Sequence, residues 1–323
     1  MIIERMPDEP LNAPAPPPAA ATAAALHGIT AVPDLGVIGV SGEDAAAFLQ
    51  GQLTQDIDAM PIGQARLAAY CSARGRVLAS FIVCRRAQGD FWLVCSADLL
   101  AATLKKLTMF VLRSKVRLVD ASAEVAVYGV MGETLNSIAS SASPASAEAG
   151  FHSDILALLP PADGQPRGLW LTPADAPAPA GAPLAPAQWH WAAVRSGVAT
   201  VSQAVAEAFV PQMLNYESVD GVNFRKGCYP GQEVVARSQF RGAIKRRAYV
   251  GQVAGAAQAG DEVWVAGQAG EPAGLIAQAA PAPGGGTAVI AVLQSAAVDA
   301  GTPLAVGGAA LDGLHRPYPL IEI

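Results

Sequence analysis

Cysteine, histidine, cationic charge and long apolar runs are all scarce in this chain. Four cysteines occur among 323 residues, and none forms a Cys-x-x-Cys pair. Cys71, Cys84, Cys95 and Cys228 are too scattered to hold a zinc or iron–sulfur centre within one chain. Free thiols in a reducing compartment are expected instead. His27, His152, His190 and His315 show no metal-ligand spacing, so no metal site is expected. No apolar run approaches the roughly 18–20 residues that a membrane helix needs. The N-terminus carries Glu4, Asp8 and Glu9 and lacks the basic and apolar regions of a signal peptide, so a cytoplasmic protein without a membrane partner is expected. Lys and Arg number 21 against 27 Asp and Glu, a net charge of -6. That balance argues against nucleic acid as a direct partner, while leaving room for a local basic patch.

What is abundant is apolar surface. With 52% hydrophobic residues the chain can bury a substantial core, and its length suits two or three domains. Residues 1–24 are rich in Ala and Pro and read as a disordered tail. From there to residue 245, strand and helix patterns alternate. Leu35–Val40 reads as a strand. A helix over Glu43–Gln52 follows, with Ser41 as cap and Asp44 as capping acid. Arg66–Cys71, Arg76–Arg85 and Phe91–Cys95 read as strands, and Ala97–Leu107 as a helix. Val111–Leu118 and Glu124–Val130 read as strands, Gly132–Ser140 as a helix and 140–150 as a loop. Short strands are expected near 155–158 and 168–171, and a helix at Trp189–Ser196. After Lys245 the pattern becomes short strands and glycine turns, at 248–253, 262–265, 273–278 and 287–293, which suggests a small β-barrel over 246–323.

The densest chemistry lies in Phe224-Arg-Lys-Gly-Cys-Tyr-Pro-Gly-Gln-Glu-Val-Val-Ala-Arg237. Cys228 stands between Gly227 and Gly231, which permit close approaches and unusual backbone angles. Pro230 suits the first turn of a helix running through Glu233 to Arg237. Cys228 would then precede a helix N-terminus, with Arg225 and Lys226 beside it, an arrangement that favours a thiolate. Glu233 opposes that effect if it faces the same way, and an inert cysteine in a tight turn is the competing reading.

The run Lys226-Gly227-Cys228-Tyr229-x-Gly231-Gln232-Glu233 closely resembles the signature of YgfZ-type folate-binding proteins, relatives of the glycine-cleavage aminomethyltransferases. Phe48-Leu-Gln-Gly-Gln-Leu-Thr-Gln-Asp56, Phe209-Val-Pro-Gln-Met-Leu-Asn215, Gly221-Val-Asn-Phe224 and Arg241-Gly-Ala-Ile-Lys-Arg-Arg247 fit the same family. The resemblance implies an α+β fold of two interleaved subdomains over 25–245, arranged with the barrel as a ring around a folate site. It implies tetrahydrofolate or a derivative as cofactor, and iron–sulfur client proteins or their assembly machinery as partners, tRNA-modifying enzymes among them. It makes Cys228 the functional thiol and Trp189, Leu35, Tyr229, Gln232 and Arg241 the candidates for folate contact. Trp189 and Trp191 flank His190, so one can face a ligand while the other packs in the core. Arg237, Arg241, Lys245, Arg246 and Arg247 could face an anion or form a solvated linker.

Departures matter too. Where the aminomethyltransferases read Asp-Phe-Ile-Gly, this chain reads Cys228-Tyr-Pro-Gly231. Their Asn-Ala motif falls on Ser96-Ala97, and their catalytic aspartate on Ala102-Thr103, with Asp98 the nearest carboxylate. Loss of a placed acid argues against aminomethyl transfer. A folate-dependent one-carbon transferase and a non-catalytic interaction module remain the alternatives.

Overall fold

A computed structural model describes residues 26–141, 154–240, 244–268 and 270–321. The expected tail, and nearly all of the expected loop at 140–150, lie outside the described residues.

Fifteen strands form two open sheets and one closed barrel among these residues. The chain enters through β1 (Gly28–Ala31) and passes to β2 (Leu35–Ser41) in a different sheet. There it builds α1 (Ala45–Gln50), β3 (Ala65–Cys71), β4 (Val77–Ala87), β5 (Asp90–Ser96), α2 (Ala97–Thr108) and β6 (Arg117–Asp120). This five-stranded sheet has the order β3-β4-β5-β2-β6. The chain then returns to pair β7 (Val125–Met131) with β1, and adds α3 (Gly132–Ser141), β8 (Ile155–Ala162) and β9 (Gln165–Pro173). The four-stranded sheet runs β1-β7-β9-β8. The α+β units are therefore interleaved, because the first strand belongs to the sheet completed last. Next come α4 (Pro186–Arg195), a run of 3-10 turns and α5 (Gln232–Phe240). Strands β10 (Arg246–Val253), β11 (Glu262–Val265), β12 (Gly274–Pro281), β13 (Thr287–Gln294), β14 (Leu304–Val306) and β15 (Ala309–His315) close the barrel, with α6 (Ser295–Asp299) between β13 and β14.

The alternation of side chains explains the layers. In β13 nearly every residue is buried. Val289, Ala291 and Leu293 fill the barrel. Ala288, Ile290 and Val292 point the other way and join the core of the five-stranded sheet. The barrel is thus packed onto the body by its outer face. Polar groups fix the joint. Arg247 is buried and forms an ion pair with buried Glu217, while its Nη1 donates to Gln212 O at 2.9 Å. Asn215 Nδ2 donates to Ala248 O at 2.9 Å. The solvated-linker reading therefore fails for Arg247: a charge taken from water needs a partner, and Glu217 supplies it.

Other expectations also change. The strand expected over 111–118 begins only at Arg117, because Leu112 has φ 44° and Val111, Ser114 and Val116 spend their amides on turns. Lys115 N donates instead to the Asp44 carboxylate at 2.7 Å. Asp44 consequently makes no capping bond to α1, and Ser41 ends β2 rather than capping a helix. Two barrel strands, β14 and β15, lie beyond the four read from the sequence.

Candidate functional site

A cavity of about 660 Å3 opens where the two sheets, α4 and the barrel meet. Its walls come from β3 and β4, β8 and β9, α4, the segment 198–202 and barrel residues 256–259 and 277–281. Trp189 and Leu35, both expected at a folate site, line it. Trp191 instead packs against the main core, so the two tryptophans divide as their alternate placement required.

Pro186 begins α4 at a position where its missing N–H costs nothing. The helix carries Trp189 onto Gly129 of β7. A Cβ at Gly129 would lie 2.4 Å from the indole, so only glycine lets the ring sit that deep. Trp189 is 4% exposed and belongs to a core cluster while presenting part of its surface to the cavity.

The feature not foreseen is Arg167 on β9. Its side chain is buried and its guanidinium lies 5.3 Å from the centre of the Trp189 ring. Nε donates to Pro160 O at 2.9 Å and Nη2 to Ser196 Oγ at 3.2 Å. Nη1 has no partner among the described residues, and no carboxylate there pairs with the group. Burial alone pushes its pKa down, to about 10. A buried guanidinium without a counter-ion, on the wall of a cavity, is suited to an anionic or acceptor oxygen of a ligand. In sequence Arg167 stands just before the short apolar run expected as a strand at 168–171, and nothing local marks it out. Arg66 and Gln278 also line the cavity and were likewise not singled out.

Carboxylates are present as well. Asp34 and Asp220 line the cavity, and Asp34 lies 3.7 Å from His190 Nδ1. Asp98 does not line it: it accepts from Ser96 Oγ at 2.7 Å and from Gln203 N at 3.0 Å.

The cysteine loop lies elsewhere. Cys228 is exposed, and neither it nor Tyr229 nor Gln232 is among the cavity-lining residues. Tyr229 and Gln232 therefore stand apart from the cavity that Trp189 and Leu35 line, and Arg241 lies outside the described residues. Gly231 has φ 79°, a left-handed value, so α5 begins only at Gln232 and Pro230 falls in the preceding turn. Gly227, by contrast, has open space around it. Lys226 does not stand beside the thiol as a free cation. It is buried, and Nζ donates to the carbonyls of Gln50 and Leu53, the latter at 2.5 Å, with the Tyr229 ring centre 5.1 Å away. Burial pushes its pKa down to about 8, with Asp56 and Asp58 opposing. Burial likewise raises the Tyr229 phenol above its usual range.

This tie joins two motifs that are distant in sequence. Gln50 and Leu53 belong to the Phe48–Asp56 run. Within it, Thr54 Oγ1 donates to Gly221 O at 2.6 Å and Gln55 Nε2 to Asp220 O at 2.5 Å. The first motif holds the chain leading into the second. Cys71, Cys84 and Cys95 are buried, and burial is the main cause lifting each thiol to about 12. No group of residues able to hold a metal occurs among the described residues. No helix there is long and apolar enough to cross a membrane.

Comparison with known proteins agrees with this architecture. The profile of the GCVT N-terminal domain matches residues 20–152. The aminomethyltransferase T of the glycine cleavage system from Bartonella henselae superposes with a TM-score of 0.60 at 16% identity, over 89% of this chain and 85% of that one. The fold is thus that of the aminomethyltransferases. Proteins named tRNA-modifying protein YgfZ are more similar in sequence. That of Edwardsiella ictaluri is 35% identical over 222 residues, 65% of this chain and 66% of the relative. That of Klebsiella pneumoniae is 32% identical over 66% of its length. That of a Yersinia pestis strain is 29% identical over 299 residues, 87% of this chain and 88% of the relative. The first two matches span just under two thirds of those relatives. Together these similarities support a YgfZ-type, GCVT-like protein.

Proposed function

We propose that this protein binds tetrahydrofolate in its central cavity and serves as an accessory factor for assembly or repair of iron–sulfur enzymes, tRNA-modifying enzymes among its clients. The observation that carries the folate reading is the Trp189–Arg167 pair on the cavity wall. An indole offers a stacking surface, and an unpaired buried guanidinium asks for an oxygen acceptor. The volume of about 660 Å3 lies within the range that encloses small organic ligands. Trp189 and Leu35 would hold the ring, and Arg167 an oxygen of the ligand. When bound, a reduced folate supplies a ring nitrogen able to carry a one-carbon unit. The protein's own contribution is to bury the ligand between sheets and barrel and to keep Cys228 outside that enclosure. From its exposed loop Cys228 engages a client's thiol, sulfur or cluster iron.

Titration with tetrahydrofolate should quench tryptophan fluorescence saturably, and Trp189→Phe should weaken binding. Saturable binding unchanged in the variant removes Trp189 from the site, and no binding removes the folate assignment.

A one-carbon transferase is the second reading, favoured by Asp34 and Asp220 on the cavity wall and by His190 beside Asp34. The separation of Asp98 from the cavity speaks against glycine-cleavage chemistry. The purified chain should not replace the aminomethyltransferase in a reconstituted glycine-cleavage assay; turnover comparable to the true enzyme would reverse the order of the two readings.

A further inference from the structure

A second cavity of about 660 Å3 lies on the joint between α5 and the barrel. Two stretches far apart in sequence bring cations to it. Arg76 comes from the turn before β4, whereas Arg237 from the last turn of α5 and Lys245 with Arg246 from the entry to β10 come from one stretch. Glu262 is the one carboxylate among its lining residues. In a chain of net charge -6 this concentration of positive charge is local and unusual.

The cations differ in how far they are engaged. Arg76 Nη1 is held by Ala208 O at 2.7 Å, which fixes the guanidinium and leaves its other donors available. Arg237 shares an exposed ion pair with Glu233, a contact screened by water and easily exchanged. Among the described residues, Lys245 and Arg246 have no ion-pair partner. Apart from Ser238 the remaining lining is apolar, with Phe209, Val210, Met213, Leu275 and Val292 among its larger side chains.

From this arrangement we infer that the groove is a binding site for a phosphate-bearing ligand of nucleotide size. A single carboxylate would leave most of the positive charge unmatched. A terminal phosphate carries nearly two negative charges and three acceptor oxygens, and successive phosphodiesters carry one charge each, so either can be shared by several of these cations. The apolar lining provides the surface that a base requires. The phosphate can come from a free nucleotide or from an RNA strand. The inference does not depend on folate, because no residue lines both this groove and the central cavity. It does connect to the thiol: α5 carries Arg237 and Ser238 into the groove at one end and follows the Cys228 loop at the other.

The test is calorimetric titration of the full chain with ATP and with a six-nucleotide oligoribonucleotide, using poly-L-glutamate as control. Saturable binding of at least one phosphate probe is expected. It should weaken tenfold or more in the double variant Lys245→Glu/Arg246→Glu, and less in Lys245→Gln/Arg246→Gln. Circular dichroism and thermal unfolding establish that each variant is folded, and if the glutamate pair is not, the glutamine pair decides. For the oligonucleotide, the log–log dependence of affinity on salt should have a slope of about −2 to −3. Binding of ATP and oligonucleotide alike identifies a free-nucleotide site, whereas binding of the oligonucleotide alone identifies an RNA strand. Absence of binding to both probes, equal binding by the folded variants, or tighter binding of poly-L-glutamate would overturn the inference.

Discussion

Trp189 and Cys228 are both presented by the N-terminal side of a helix, yet their surroundings differ at every level. Trp189 is 4% exposed, seated on Gly129 and covered by Arg167. Cys228 is exposed, on a loop whose fixed point is its neighbour Lys226, buried beneath the end of α1. The cavity is made by side chains from three layers. The loop is made by backbone geometry, the anchoring amine of Lys226 and the buried ring of Tyr229. Cys228 is not among the residues that line the cavity. The family signature therefore reports on a surface element, and the cavity must be judged on residues outside that signature.

The sharpest way to break this contrast is chemical. Alkylation of the native protein, read by mass spectrometry, should label Cys228 and leave Cys71, Cys84 and Cys95 unmodified until the chain unfolds. Burial protects those three and holds their thiols near 12, so the thiolate is rare at neutral pH. Comparable native labelling of any buried thiol would mean that its strand opens. A functional separation comes next. Cys228→Ser should bind tetrahydrofolate like the parent chain and fail to restore iron–sulfur enzyme activity in cells lacking the protein. Full rescue would make the loop a structural turn.

On the other side of the comparison, Arg167→Gln should weaken folate binding by roughly 10- to 100-fold, the loss expected for a buried charge-assisted hydrogen bond. Alkylation of Cys228 in this variant should be unchanged. A variant that binds folate normally would leave Arg167 as a structural cation.

The last effect concerns Lys226 and is confined to alkaline pH. Its pKa in the fold is about 8, below the ordinary 10.5, so between those values the unfolded chain holds the proton more firmly. Stability contributed by this group therefore rises with pH across that window and is flat below it. Lys226→Met should remove an increment of at most about 3 kcal/mol from the pH dependence of unfolding between pH 8 and 10.5. An identical slope in parent and variant would mean that the amine is not desolvated.

How much of this was legible in the sequence depended on what kind of interaction was involved. The alternation of strands and helices and the barrel followed from apolar periodicity and glycine turns, because those features act locally, whereas the interleaving came from the family resemblance. Trp189 and Leu35 were found through family resemblance. Arg167 was missed because a single cation in a strand has no local pattern; its meaning comes from Trp189 and Ser196, which meet it only after folding. The same holds for Lys226. Beside Cys228 in sequence it suggested a cation for the thiol, whereas the fold uses it to join two motifs. Val111–Leu118 read as a strand by its apolar content, and long-range contact with Asp44 overrode that pattern.

Gly129 has a consequence that reaches beyond packing. It does not line the central cavity, and it offers no chemistry of its own. Yet a methyl group there would have to displace the indole by about an ångström to restore ordinary contact, and the ring would shift toward the cavity. One hydrogen atom on a neighbouring strand thus acts as a depth stop for the cavity wall. Ligand size in proteins of this design can be retuned from behind that wall, without altering any residue that the ligand touches.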